Sequence, residues 1–238
     1  MTDSPKPTVV LVHGAFADAS GFAGINRELV TSGYEVVAPP NPLRSLSSDA
    51  AALSAVVSAI DGPVVLVGHS YGGAVITQAS AGLDNVTGLV YLAAFGLDEG
   101  ESAASSQEPF PPSLLGVNNY PTSYDAPGAP QGPDLYIKKE PFRETFCADV
   151  PVDVADVMFA TQRPLSLAAL TEKCTAAGWR QHPSWFLVSE HDRSIPPEAE
   201  RFMAERMKAT TETIDGSHTA FIAQPVAVAR FIEKAISG

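Results

Sequence analysis

The main pattern along the chain is a series of short apolar runs separated by stretches with helical periodicity. Apolar runs that do not alternate with polar residues are typical of strands buried on both faces of a parallel sheet. Six strands are predicted, at residues 8–12, 34–40, 64–67, 86–95, 184–192 and 210–215. Helices are predicted at residues 21–33, 45–62, 71–82, 196–209 and 225–237. This alternation favours an α/β fold with right-handed crossovers.

The alternation is interrupted over residues 96–183. Repeated prolines predict no regular element over residues 105–133, whereas residues 141–177 again have helical patterns. We expect this insertion after the fourth strand to form a helical cap over the carboxyl ends of the strands, where open α/β sheets bind ligands. The sequence thus predicts one domain, with a core of residues 1–95 and 184–238 and the cap inserted between them.

A glycine-flanked serine lies between the third predicted strand and its helix. The stretch "GHSYGG" contains Gly68, Ser70 and Gly72 in the G-x-S-x-G spacing of a nucleophile elbow. The bend is so tight that side chains two residues from the serine would collide, which explains glycine at both positions. The alternative is a glycine-rich turn whose serine only caps the helix. The spacings of a dinucleotide fingerprint and of a P-loop are both absent.

A serine hydroxyl is a weak nucleophile, so it needs a base, usually a histidine that a carboxylate orients. His218 lies in the small-residue loop "DGSHTAF" after the last predicted strand, at the same edge of the sheet as Ser70. We therefore predict His218 as the base. The other histidines are placed less favourably: His13, His69, His182 and His191.

The predicted acid is Asp192, which ends the strand "SWFLVSEHD". Asp215 is too close to His218 in sequence to reach its far nitrogen, and Glu190 points away from Asp192 on an extended strand. The resulting order of serine, aspartate and histidine is that of α/β-hydrolases. No further histidine stands at ligand spacing from His191 and Asp192, so no metal site is predicted.

Acyl transfer also needs hydrogen-bond donors for the negative charge that develops on the carbonyl oxygen. One predicted donor is the backbone N–H of Tyr71, the residue after the serine. The other is the backbone N–H of Ala15, in the loop "HGAF" after the first strand. An ordinary turn between strand and helix is the alternative for that loop.

Four stretches together resemble the α/β-hydrolase superfamily along the whole chain, and within it the plant-type methylesterase and hydroxynitrile lyase group with its bacterial relatives. They are "VLVHGAFADASGF", "VVLVGHSYGGAVI", "LVYLAAFG" with "VSEHDRSIPPEAERFMAER", and "IDGSHTAFIAQP". The resemblance implies an α/β-hydrolase fold that begins at the superfamily's third strand. A six-stranded, mainly parallel sheet flanked by helices is therefore expected, and no cofactor.

Departures from this group favour ester hydrolysis over cyanohydrin cleavage. The lyases carry threonine where this chain has Gly14, and where it has Thr219 they carry the lysine that holds the cyanide charge. Dehalogenases and epoxide hydrolases of the fold use aspartate at the position of Ser70.

We therefore predict a serine hydrolase of carboxylic esters or lactones that acts on small, fairly apolar molecules. A lyase or a perhydrolase using the same triad stays an alternative, as does a receptor that binds a small molecule without turnover. Aromatic and methionine side chains of the cap are candidates for the pocket or for plain core: Phe110, Tyr120, Tyr124, Phe142, Phe146, Met158, Phe159 and Trp179.

The net charge and the two cysteines limit the classes of binding partner and the cellular compartment that we expect. The net charge of −12 comes without a cluster of basic residues, which argues against nucleic acid and anionic membranes as partners. The chain lacks the features of a signal peptide and any apolar run long enough to span a membrane. Cys147 and Cys174 match no metal or redox spacing, so reduced thiols and a cytoplasmic location are expected. Monomer and homodimer both stay open.

Overall fold

The computed structural model describes residues 6–128 and 132–237. In these residues the strands are β1 (Thr8–Val12), β2 (Val36–Val37), β3 (Val64–His69), β4 (Val86–Leu92), β5 (Asn119–Thr122), β6 (Asp134–Ile137), β7 (Leu165–Ser166), β8 (Ser184–Ser189) and β9 (Thr210–Ile214). The helices are α1 (Ala23–Thr31), α2 (Leu46–Ser58), α3 (Tyr71–Ala79), α4 (Leu114–Asn118), α5 (Phe142–Phe146), α6 (Val152–Ala160), α7 (Leu167–Thr171), α8 (Pro197–Arg206), α9 (Ala220–Ala223) and α10 (Pro225–Ser237).

Six strands form one parallel sheet in the order β2-β1-β3-β4-β8-β9. Successive residues of each central strand point to opposite faces, and both faces are covered. In β1, Val10 and Val12 join one apolar cluster, whereas Val9 and Leu11 join the other. This explains why the central strands β1, β3 and β4 are mainly apolar without alternation. The topology confirms the predicted fold class.

Helices cover each face of the sheet. Helices α1 and α10 lie on one face, where Ile25, Leu29 and Ile232 are buried. Helices α2, α3 and α8 lie on the other, where Leu53 and Met203 are buried. No helix in the described ranges is long and apolar enough to cross a membrane.

The prediction that residues 105–133 hold no regular element was wrong. Helix α4 and strand β5 form there, and β5 pairs with β6 in a three-stranded antiparallel sheet that β7 completes. Pro121 lies inside β5, which is an edge strand and so tolerates a residue without an N–H. The cap therefore combines the expected helices α5 to α7 with a small sheet.

The cap shares a core with the main sheet. Ile137, Phe142 and Phe146 belong to the same apolar cluster as Val12 and Leu66 of β1 and β3. Buried apolar contacts thus hold the cap against one face of the sheet. The boundaries of the cap at residues 96 and 183 stay a prediction.

Four sheet strands, β2, β4, β8 and β9, end earlier than the sequence indicated. Strand β2 ends at Val37, and the following residues Pro39 and Pro40 lack the N–H that a ladder needs. Strand β4 ends at Leu92, and the chain turns at Ala93, whose φ is 44°. This early end of β4 lets the following residues approach the elbow serine.

Candidate active site

Ser70 lies at the sharp turn between β3 and α3. Its backbone has φ 53° and ψ −124°, a region that only an over-determined site imposes on a residue with a side chain. A Cβ at Gly68 would lie 2.6 Å from the Gly72 carbonyl oxygen, and one at Gly72 would lie 2.2 Å from the Val12 carbonyl oxygen. Both glycines are therefore required by close backbone approach.

Neighbouring backbone holds Ser70 in this strained conformation. The Ser70 N–H donates to the Leu92 carbonyl at 3.3 Å, and the Ser70 carbonyl accepts from the N–H groups of Gly73 at 2.9 Å and Phe95 at 3.1 Å. Two of these partners belong to β4 or the turn after it. The end of β4 thus fixes the bend against a strain of about 1 to 3 kcal/mol.

His218 and Asp192 form a buried pair at the ends of β9 and β8. The His218 Nδ1–H donates to Asp192 Oδ2 at 2.5 Å, and both side chains are wholly buried. Because the carboxylate only accepts, Nδ1 carries the proton and Nε2 keeps its lone pair in the neutral ring. Nε2 is buried and has no hydrogen-bond partner among the described residues. The histidine therefore has the tautomer that a general base needs.

Backbone donors orient Asp192 in turn. Its Oδ1 accepts from the N–H groups of Ser194 at 2.6 Å and Ile195 at 2.9 Å. With His218 the carboxylate receives three N–H donors, an arrangement that favours the ionised form. The turn between β8 and α8 thus supplies a fixed anion to the histidine.

His69 connects the elbow to the loop of His218. Its Nε2–H donates to the His218 carbonyl at 2.9 Å, and the two rings have centroids 4.6 Å apart. Complete burial lowers the pKa of His69 well below its ordinary value, so the ring is neutral. No hydrogen bond joins Ser70 Oγ to His218 Nε2 among the described residues.

The loop after β1 lies beside the elbow. Ala15 and Tyr71 line the same cavity as Ser70, and their N–H groups donate to no acceptor within residues 6–128 and 132–237. The next residue, Phe16, has φ 59°, and its N–H donates to the Arg163 carbonyl of the cap at 3.0 Å. Two residues whose N–H groups are unused thus line the cavity that holds Ser70.

This cavity lies between the sheet edge and the cap and has an empty volume of about 540 Å³ that opens to solvent. Apolar side chains dominate its wall, and its polar side chains are neutral. The lining residues are Ala15, Phe16, Ser70, Tyr71, Phe95, Ala103, Gln107, Ser113, Leu115, Gly116, Asn119, Leu135, Leu165 and Leu170. None of them carries a charged side chain, which disfavours a charged ligand group here.

The sequence profile of the alpha/beta hydrolase family matches residues 9–231. The chain belongs to this family. The alpha/beta hydrolase nvfD of Aspergillus novofumigatus (strain IBT 16806) is 28% identical over 254 aligned positions, which cover 97% of this chain and 96% of that protein.

Solved structures have the same fold as this alpha/beta hydrolase. Polyneuridine aldehyde esterase superposes with a TM-score of 0.83 at 21% identity, over 97% of this chain and 99% of the other. The methylesterase MES16 from Arabidopsis gives a TM-score of 0.80 at 19% identity, again over 97% and 99%. The predicted superfamily is confirmed.

The other histidines of this hydrolase have structural partners. His13 Nε2 accepts the Asn41 N–H at 2.9 Å, and burial lowers the pKa of His13. His182 Nε2 contacts the Ser80 carbonyl at 3.1 Å, and His191 pairs with exposed Asp215 at 2.9 Å.

No group of three or more His, Cys, Asp or Glu side chains suited to a metal occurs in the described part of the chain. Cys147 and Cys174 are both free and buried. Burial raises the pKa of the Cys147 thiol to about 12, so that side chain behaves as an apolar group.

The cap aromatics do not line the cavity beside Ser70. Phe142 and Phe146 are fully buried core residues, and Phe146 packs against the His218 ring with centroids 5.2 Å apart. Met158 lines a separate small cavity with Thr219. Leucines of α4, β6, β7 and α7 line the cavity instead, because α4 and the small cap sheet, both absent from the sequence prediction, place them there.

Two carboxyl groups that contact this site were missed from the sequence. Glu200 is fully buried on α8, on the same face as Ala199, Met203 and Ala204. A glutamate on an otherwise apolar stripe was the available signal. Asp149 of the cap accepts the Ser217 N–H at 2.9 Å, directly before His218. No sequence pattern indicated that contact.

Proposed function

We propose that this alpha/beta hydrolase cleaves carboxylic esters or lactones through an acyl-enzyme on Ser70, with His218 as base and Asp192 as the residue that orients it. The observation that carries the proposal is the buried 2.5 Å hydrogen bond from His218 Nδ1 to Asp192 Oδ2. The bond leaves the lone pair of Nε2 free to accept a proton. Nε2 lies at the same edge of the sheet as the strained serine.

In the proposed reaction each group acts once in acylation and once in deacylation. His218 Nε2 takes the Ser70 Oγ proton as the oxygen attacks the ester carbonyl, and the N–H groups of Ala15 and Tyr71 stabilise the oxyanion. The imidazolium then protonates the leaving alkoxide. Water repeats these steps on the acyl-enzyme, with His218 again as the base, and releases the carboxylic acid.

The cavity supports an uncharged, largely apolar substrate. Its wall consists mainly of leucine and other apolar side chains, with neutral Gln107, Ser113 and Asn119 as the polar groups apart from Ser70 and Tyr71. Burying a charged group there would cost several kcal/mol without a partner, so neutral esters are preferred.

A lyase on the same residues has less support. Thr219, with a buried hydroxyl, stands where a cation would be required, and a Cβ at Gly14 would lie only 2.6 Å from the Ser70 Cβ. Product analysis separates the alternatives: a lyase releases an aldehyde or ketone, and a perhydrolase consumes peroxide and a carboxylic acid. A receptor would bind its ligand without turnover.

The test is Ser70→Ala with an activated acetate ester and lactones as substrates. Turnover should fall by about five to six orders of magnitude while the circular dichroism spectrum and Tm stay those of a folded protein. Ser58→Ala, at an exposed position on α2, is the matched control and should keep full activity. Unchanged turnover in Ser70→Ala would remove Ser70 from the mechanism.

A further inference from the structure

Glu200 is a buried carboxyl group that the proposed reaction does not use. It lies in the first turn of α8, has 0% exposure, and its Oε2 accepts the Ser189 N–H at 3.2 Å. Its Oε1 is buried and has no hydrogen-bond partner among the described N–H and O–H groups. A glutamate is rarely buried to this extent without a partner.

The candidate partner is the carboxyl group of Asp192, whose charge and hydrogen bonding both raise the pKa of Glu200. The two side chains are also joined through Ser189, whose N–H donates to Glu200 and whose carbonyl accepts the Asp192 N–H at 3.2 Å. Two carboxyl groups this close and this buried do not both ionise, because the second charge would face the first in a medium of low dielectric constant.

Hydrogen-bond donors decide which of the two keeps the charge. Asp192 receives three N–H donors, from Ser194, Ile195 and His218, whereas Glu200 receives only the one from Ser189. The proton therefore resides on Glu200, and Asp192 Oδ2 has a lone pair left to accept it.

The surrounding charges agree with this assignment. Burial raises the pKa of Glu200 well above its ordinary value, and the Asp192 carboxylate beside it raises that pKa further. The Ser189 N–H and the Arg201 guanidinium act in the opposite direction but do not reverse it. Arg201 is half exposed and faces Glu190 at 3.9 Å, so solvent and a second carboxylate weaken its field.

We propose that Glu200 is a positioning residue whose neutral carboxylic acid donates a hydrogen bond to Asp192. This bond holds the carboxylate against His218 and withdraws part of its negative charge from the imidazole ring. Glu200 thereby lowers the pH at which His218 becomes free to act as a base. The kinetic consequence rests on the proposed function, whereas the effect on His218 itself does not.

The experiment compares Glu200→Gln and Glu200→Met with the wild type. NMR of the His218 ring in the substrate-free protein gives the midpoint of its titration. The dependence of kcat/KM on pH, measured with an activated ester, gives the acid limb of the activity profile. Glu198→Gln, an exposed change on the same helix, is the control. The NMR readout needs no turnover, so a protein that hydrolyses no ester would still test the proposal.

Glu200→Gln keeps a neutral donor, so the midpoint and the acid limb should stay where they are in the wild type. Glu200→Met removes the donor and leaves Asp192 more negative, which should move both upward by about one pH unit. Near the acid limb kcat/KM should then fall about tenfold.

Two results would overturn the proposal. A downward shift in Glu200→Gln would mean that the wild-type glutamate is ionised, because the substitution would then have removed a negative charge. An unchanged midpoint in folded Glu200→Met would reduce Glu200 to packing, even if the Tm falls. If Glu200→Met does not fold, the glutamine variant alone still tests the charge assignment.

Discussion

The edge of the main sheet and the wall of the cap face the same cavity but are built differently. Ser70, Asp192 and His218 are at most 5% exposed, and backbone groups at the ends of β3, β4 and β8 hold them or their loops. On the cap side, Leu115 is partly exposed and Gly116 is exposed on the five-residue helix α4. Backbone contacts therefore fix the buried triad residues, whereas exchangeable side chains of the cap form the opposite wall of the cavity.

Substitutions at the sheet edge should reduce activity most. Asp192→Asn should lower kcat by about 10⁴-fold, because an amide that faces His218 no longer fixes the Nδ1–H tautomer. Asp215→Asn changes an exposed carboxylate that pairs with His191, and it should retain wild-type kcat. Steady-state kinetics on both variants measure the contrast, and equal losses would contradict the assignment of Asp192.

Substitution of one glycine in each region tests how tightly that region is packed. Gly72→Ala places a Cβ 2.2 Å from the Val12 carbonyl oxygen and should lower the free energy of unfolding by about 3 kcal/mol or more. Gly116→Ala on α4 meets only Ser113 Oγ at 3.7 Å and should raise it by up to about 1 kcal/mol. Urea unfolding of both variants measures the difference. A tolerated Gly72→Ala would show that the elbow can relax.

The cap wall should affect substrate choice more than catalysis. Leu115→Trp fills part of the cavity and should lower kcat/KM for medium-chain esters about tenfold, because the longer chain loses its apolar contacts. The acetate ester should be turned over at nearly the wild-type rate. A panel of acyl and alcohol chain lengths measures the selectivity, and an equal loss on every ester would argue that Leu115 supports the triad instead.

Changing the contact between the cap and the loop of His218 should reduce activity least. Asp149 accepts both the N–H and the Oγ–H of Ser217, next to His218. Asp149→Asn keeps one acceptor oxygen and should lower kcat a few fold, with a loss of about 1 kcal/mol in stability. Asp156→Asn, exposed on α6, is the matched control. Wild-type kcat in Asp149→Asn would show that β9 positions the loop alone.

Much of the core was predictable because its elements follow local rules. Apolar runs without alternation indicated the parallel strands, and glycines around Ser70 indicated the sharp turn that the structure contains. The approach of His218 to Asp192 was predicted because the carboxyl ends of parallel strands meet at one edge. The roles of these residues in a reaction stay a prediction.

The cap was predicted less well for a physical reason. Prolines disfavour regular structure locally, but β5 forms because β6 supplies hydrogen-bond partners from another part of the chain. The leucines of the cavity wall were missed for the same reason, since four separate elements bring them together.

Local sequence patterns were sufficient for the class of fold, the position of the strained serine and the candidate residues of the triad. These depend on periodicity, glycine sterics and strand ends, which act over a few neighbouring residues. The burial of Glu200 behind Asp192, the contact of Asp149 with the His218 loop and the leucines of the cavity wall became visible in the folded chain alone. Each of these depends on contacts between residues distant along the chain or on the packing of one element against another, which no local pattern encodes.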